Sequence, residues 1–153
     1  KYPALGERYR YHYFQHQNDI SLFDGVLDLL DDLKARHHWV TVATGKSRVG
    51  LNRALNTSGL MSLFDSTRCA DETFSKPHPA MLEAAMFEAG ALPGQAVMIG
   101  DTSFDMVMAR SIGVTAIGVD WGYHDASELR ASGAARVVAT AAALAAALEE
   151  ALP

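Results

Sequence analysis

Two aspartates four residues apart, Asp101 and Asp105, follow directly on the apolar run Ala96-Val97-Met98-Ile99-Gly100. Carboxylates at i and i+4 share one face near a helix N-terminus. Two of them make a hard oxygen site, suited to Mg2+ that keeps several of its waters. Lys76 stands in Ser75-Lys76-Pro77-His78-Pro79, an ammonium point charge on a stem held by prolines, suited to phosphate or a carboxylate. Thr44 and Gly45 close another apolar run, where a hydroxyl and free backbone N–H groups could hold an anion as helix N-termini do. Each residue alone has a blander reading. Asp101 would be a helix cap, Lys76 a solvated loop residue and Thr44 the end of a strand. Together they fall in one order, Thr, then Lys, then Asp and Asp, and the conjunction favours a phosphate and Mg2+ site.

These residues need elements that bring them together. Trp39-Val-Thr-Val-Ala-Thr44 is β-rich and closed by Gly45, which predicts a buried strand ending at Thr44. Upstream, Val26, Leu29, Leu30 and Leu33 recur at helical spacing. Ser47 can cap a helix running to about Thr57, with Gly59 as its stop. Phe64–Cys69 is a weaker strand. Pro79 opens a helix that Gly90 ends. After the strand at 96–100 come a helix ending at Gly113, the strand TAIGV, a short helix over 125–132, the strand RVV and an alanine-rich closing helix carrying Leu144 and Leu148. Strands that read as apolar runs and alternate with helices predict an α/β fold, a Rossmann-like parallel sheet with helices on both faces. In such sheets ligands bind off the carboxyl ends of the strands, where all four residues fall.

The bulk numbers narrow the partners. The 153 residues suffice for one domain with a core, and 49% hydrophobic with 20% charged residues is a globular composition. A net charge of −5 without a Lys/Arg run argues against nucleic acid. Cys69 stands alone, which excludes an internal disulfide and a Cys-based zinc site and suits a reducing cytoplasm. No apolar stretch reaches the length of a membrane span.

The motifs resemble those of the haloacid dehalogenase-like (HAD) hydrolase superfamily. WVTVATGKSR is similar to its second motif, SKPHP to its third and VMIGDTSFDMVMA to its fourth, while VDWGYHDASELRASGAARVV resembles the phosphoglycolate phosphatase-like branch. The resemblance implies that Thr44 and the Gly45 backbone hold the phosphoryl oxygens and that Lys76 neutralises nucleophile and phosphate. It further implies that Asp101 binds Mg2+, with Asp105 orienting a metal-bound water or Lys76 and counted with Asp101 at the metal. The reaction would be hydrolysis of a small phosphorylated metabolite by way of an aspartyl-phosphate. A phosphoglucomutase-type phosphotransferase, a dehalogenase of the same superfamily and a non-catalytic phosphate-binding module are the alternatives. A receiver domain would need its acidic pair before the Lys.

One family motif is missing. Asp-x-Asp-Gly, which carries the nucleophile and general acid at the end of the first strand, occurs nowhere in the chain. Asp24-Gly25 imitates its second half, but Leu22 would then stand in the nucleophile's place and cannot attack phosphorus. If Asp24 were itself the nucleophile, Val26 would replace the acid. Phe23-Asp24-Gly25-Val26 instead resembles the linker returning from the family's helical cap, with Asp24 as N-cap of the next helix. Residues 1–20 then read as a remnant of the cap and its linker, and 21–153 as the α/β core lacking its central first strand. On this reading the chain is part of a longer protein and is inactive by itself. The sheet would have a gap of roughly 10 Å, to be filled by a complementing N-terminal piece or a strand-swapped copy. Among the other residues, His12, His16, His37 and His38 read as surface, His78 and His124 as rim residues, and Trp121 and Cys69 as packing.

Overall fold

The computed structural model describes residues 4–6, 25–44, 47–58, 62, 64–69 and 76–152. Six strands form one parallel sheet in the order β3-β2-β1-β4-β5-β6. They are β1 (Ala4–Gly6), β2 (Val40–Thr44), β3 (Ser66–Cys69), β4 (Val97–Gly100), β5 (Thr115–Val119) and β6 (Arg136–Val138). The helices are α1 (Val26–Ala35), α2 (Arg48–Ser58), α3 (Ala80–Ala89), α4 (Ser103–Ser111), α5 (Ala126–Ala131) and α6 (Ala141–Ala151). The order reverses direction at β1, and α/β sheets put their ligand crevices at such switch points.

Apolar runs become the inner strands because both faces of the sheet are covered. All four residues of β4 are buried. One face packs Leu29, Leu30 and Leu33 of α1, Leu51 and Leu55 of α2, and Leu144 and Leu148 of α6 against Val40, Val42, Ile99 and Ile117. The other packs Met81, Leu82, Ala85 and Met86 of α3, Met106, Met108 and Ala109 of α4, and Leu129 of α5 against Ala43, Met98 and Ala116.

Local signals set the element ends. Ser47 Oγ accepts from the Gly50 N–H, as its capping role requires. Gly90, at φ 71°, closes α3 in the left-handed conformation. Thr140 accepts from the Ala143 N–H at the start of α6, whose Leu144 and Leu148 are both buried. Gly59, expected to stop α2, lies outside the described residues.

Two expectations are corrected. Asp24 was to cap α1, but the helix is entered from Gly25, in the left-handed conformation at φ 83° and with no side-chain cap, while Asp24 lies outside the described residues. The sheet was to lack its central strand, yet Ala4–Gly6, within the stretch read as cap remnant, pairs in parallel with β2 on one side and β4 on the other. Ladder N–H and C=O groups in a buried sheet need partners, and these three residues supply them. The gap that motivated a swapped or complementing strand is thereby occupied. The resemblance had put a nucleophile at the end of this lane, but Ala4-Leu5-Gly6 carries no carboxylate.

The edge strand β3 is covered by side chains. Arg48 Nη2 and Arg68 Nη1 both donate to the carbonyl of Thr67, each at 3.0 Å. Arg48 Nη1 also donates to the Thr67 hydroxyl, and Arg68 pairs with Glu88. At the opposite edge Arg136 pairs with Glu150. No helix among the described residues is long and apolar enough to cross a membrane.

Candidate active site

Register places the expected residues at one level of the sheet. Gly6 is paired with Val42 of β2 and with Ile99 of β4. Thr44 and Asp101 therefore each stand two residues beyond the same rung, flanking β1 at the carboxyl edge. The Thr44 side chain and Gly45 lie outside what is described, so their expected contact with an anion is an expectation still.

Lys76 meets Asp105, four residues on from Asp101. Lys76 comes from the loop between β3 and α3, beside a cis Lys76–Pro77 peptide. Its Nζ lies 2.6 Å from Asp105 Oδ1, with the lysine side chain 8% exposed and the aspartate fully buried. A cation so desolvated needs a partner, and Asp105 supplies one. The other oxygen, Oδ2, accepts from the Thr102 N–H at 3.2 Å and the Thr102 hydroxyl at 2.9 Å. Thr102 Oγ1 in turn accepts from the Asp105 N–H, a reciprocal cap that starts α4. Asp105 thus meets Lys76 with one oxygen and Thr102 with the other.

Asp101 is fully buried. Its Oδ2 accepts from the Tyr123 N–H at 3.1 Å and its carbonyl from the His124 N–H at 2.9 Å. The loop after β5 thereby folds over the turn after β4. Two glycines permit it. A Cβ on Gly122 would fall far inside van der Waals contact with the Asp101 side chain, and a Cβ on Gly100 would do the same to Asp105. Among the described residues no group of three or more Asp, Glu, His or Cys could enclose a metal. A buried carboxylate is a hard oxygen donor, the kind of ligand that Mg2+ takes.

The remaining sequence candidates are placed as follows. His78 is exposed, and its Nδ1 accepts from the Ala80 N–H at the start of α3, a capping role. Trp121 packs against the core and Cys69 is fully buried, as expected of both. His124 sits beside Tyr123 and Phe104, with ring centroids 4.9 and 6.3 Å away. Sequence reasoning passed over Thr102, Gly100 and Gly122 without giving them a role. For Thr102 the signal was present, since a Thr three residues before an acid opens many helices. For Gly122 none was, because its partner is Asp101, distant in sequence.

The family model described as haloacid dehalogenase-like hydrolase matches residues 2–119, so the chain belongs to that family. It is 39% identical over 112 residues to the protein named probable phosphatase IndB of Dickeya dadantii, covering 72% of this chain and 49% of that protein. To the phosphoglycolate phosphatase of Synechococcus elongatus it is 31% identical over 113 residues, covering 74% of this chain and 52% of that protein. The crystal structure of a hydrolase from Pseudomonas syringae superposes with a TM-score of 0.80 at 28% identity, over 90% of this chain and 66% of that one. The chain spans about half the length of the curated relatives it matches.

Proposed function

We propose that this chain provides the phosphate- and Mg2+-handling part of a phosphate-monoester hydrolase acting on a small phosphorylated metabolite. The observation that carries the reading is the buried Lys76–Asp105 pair set beside the buried Asp101 at the carboxyl edge of the sheet. Asp105 holds the Lys76 ammonium in one place, so that a phosphoryl oxygen would meet a pre-oriented donor. Thr44 and the Gly45 amide would take further phosphoryl oxygens from the neighbouring strand end. Asp101, its carboxylate direction set by the Tyr123 amide, would hold Mg2+, which supplies charge stabilisation to the transferring group. The family route is attack by an aspartate. No Asp-x-Asp-Gly occurs among the 153 residues, so the chain carries no attacking carboxylate in that motif.

The two named relatives support the substrate class at the level of phosphate esters. Phosphoglycolate is the specific candidate, suggested by the second relative's name and by the Trp121-Gly122-Tyr123 loop.

Calorimetric titration with MgCl2, then with inorganic phosphate, tests the reading. The chain should bind Mg2+, Asp101→Asn should abolish that binding, and phosphate should bind only with Mg2+ present and less well to Lys76→Ala. Phosphate binding indifferent to both substitutions would sink the proposal. With p-nitrophenyl phosphate and Mg2+ no turnover is expected from these residues. Turnover that Asp24→Asn removes would instead make Asp24 the nucleophile.

A further inference from the structure

The loop between β5 and α5 does more than cover Asp101. The amides of Tyr123 and His124 both donate to Asp101, at 3.1 and 2.9 Å. The ring of His124 then reaches past the turn to α4, where Nδ1 accepts the Ser103 N–H at 2.8 Å. Ser103 is the first residue of α4, one of the donors that a helix leaves without an intrahelical partner. Thr102 already satisfies the Asp105 amide in the same first turn. His124 therefore supplies a second cap from a distant part of the chain, and the turn Asp101-Thr102-Ser103 is gripped at both ends by consecutive residues of one loop.

The geometry points to His124 as a positioning residue for the Asp101 turn, acting through Nδ1 as a hydrogen-bond acceptor. Glu128 Oε2 lies 3.6 Å from the same nitrogen, too far for a hydrogen bond, whereas the Ser103 N–H lies within one. An Nδ1 that accepts carries no proton, so the neutral ring must carry its proton on Nε2. The 15% exposed side chain of His124 is thus held in one tautomer by a backbone amide, much as metal-ligating groups are oriented by partners outside the ligand shell. The inference rests on the proposed function only where it concerns Mg2+.

The wild-type chain gives the first reading. Long-range 1H–15N NMR should place the His124 proton on Nε2, and a proton on Nδ1 would overturn the assignment. Three variants follow. His124→Asn keeps an acceptor close to the position of Nδ1, His124→Gln carries its acceptor farther out, and His124→Ala has none. Exchange of the Ser103 amide should quicken about tenfold in the Ala and Gln variants, the loss of one hydrogen bond, and stay near wild type in Asn. Mg2+ affinity should follow the same order, falling about 10–100-fold in Ala and Gln, as is usual when an orienting partner is removed. A role in stability alone would not separate Asn from Gln in metal affinity. Indistinguishable Asn and Gln variants, or an Ala variant equal to wild type, would overturn the inference. Should the Ala variant not fold, the Asn–Gln pair decides. Should the wild type bind no Mg2+, the functional reading fails while amide exchange still decides the role of His124.

Discussion

Lys76 is a charge that water hardly reaches, and its counter-charge is wholly buried. Removing one member of such a buried pair costs far more than the pair contributes net. Asp105→Ala should therefore destabilise the chain by about 3–5 kcal/mol, as read by urea unfolding. Asp105→Ala combined with Lys76→Met should recover part of the loss, because the buried ammonium goes with its counter-charge. Equal stability of the single and double variants would show that the ammonium finds water in place of Asp105. Gly122 makes a second demand at this scale. Gly122→Ala would put a methyl where the Asp101 side chain lies, and overpacking of this kind typically costs ~1–3 kcal/mol. Since the atom displaced belongs to Asp101, Mg2+ affinity should fall with stability. A variant with wild-type unfolding and wild-type Mg2+ titration would show that the loop yields instead.

Among the elements, α4 and α6 make a natural comparison. Both begin at a threonine whose hydroxyl accepts an amide three residues on, Thr102 for α4 and Thr140 for α6. Either Thr→Ala change should cost about 1 kcal/mol of stability. Only Thr102→Ala should also weaken Mg2+-dependent phosphate binding, because Thr102 shares Asp105 with Lys76. Parallel losses of binding in both variants would mean that helix stability alone governs the site. The contrast also explains what could be read in advance. The strands β2, β4 and β5 were legible because burial on both faces requires apolar runs. The partly exposed edge strand β3 read more weakly because Ser-Thr-Arg-Cys is polar. The helices were legible because amphipathic spacing and caps act within a few residues. Lys76, Asp101 and Asp105 were legible because strand ends lie where the ligand crevice must form. Ala4–Gly6 was not, since three small or apolar residues carry no periodicity, and their pairing is settled by β2 and β4, which lie far along the chain. The Gly122–Asp101 approach was hidden for the same reason. It is a contact between two loops, and no local pattern encodes it.

At the scale of the whole molecule, the sheet divides the interior into two separate cores, one under α1, α2 and α6 and one under α3, α4 and α5. The candidate site lies where the second core reaches the carboxyl edge, since Met106, Met108 and Ala109 anchor the helix that bears Asp105. The open ends of the sheet bear on a different question. A six-stranded parallel sheet ends in two strands with unsatisfied ladder groups, templates onto which any extended peptide could add. At β3 that template is spoiled, because two guanidinium groups already occupy the Thr67 carbonyl. A polymerising neighbour would have to displace both arginines before its first backbone bond could form. Arg48→Ala with Arg68→Ala should thus raise thioflavin-reactive aggregation at high protein concentration while leaving the cores intact, and unchanged aggregation kinetics would show that the edge is protected otherwise. Two arginines on an outer strand would then set the concentration at which this protein can be stored without forming fibres.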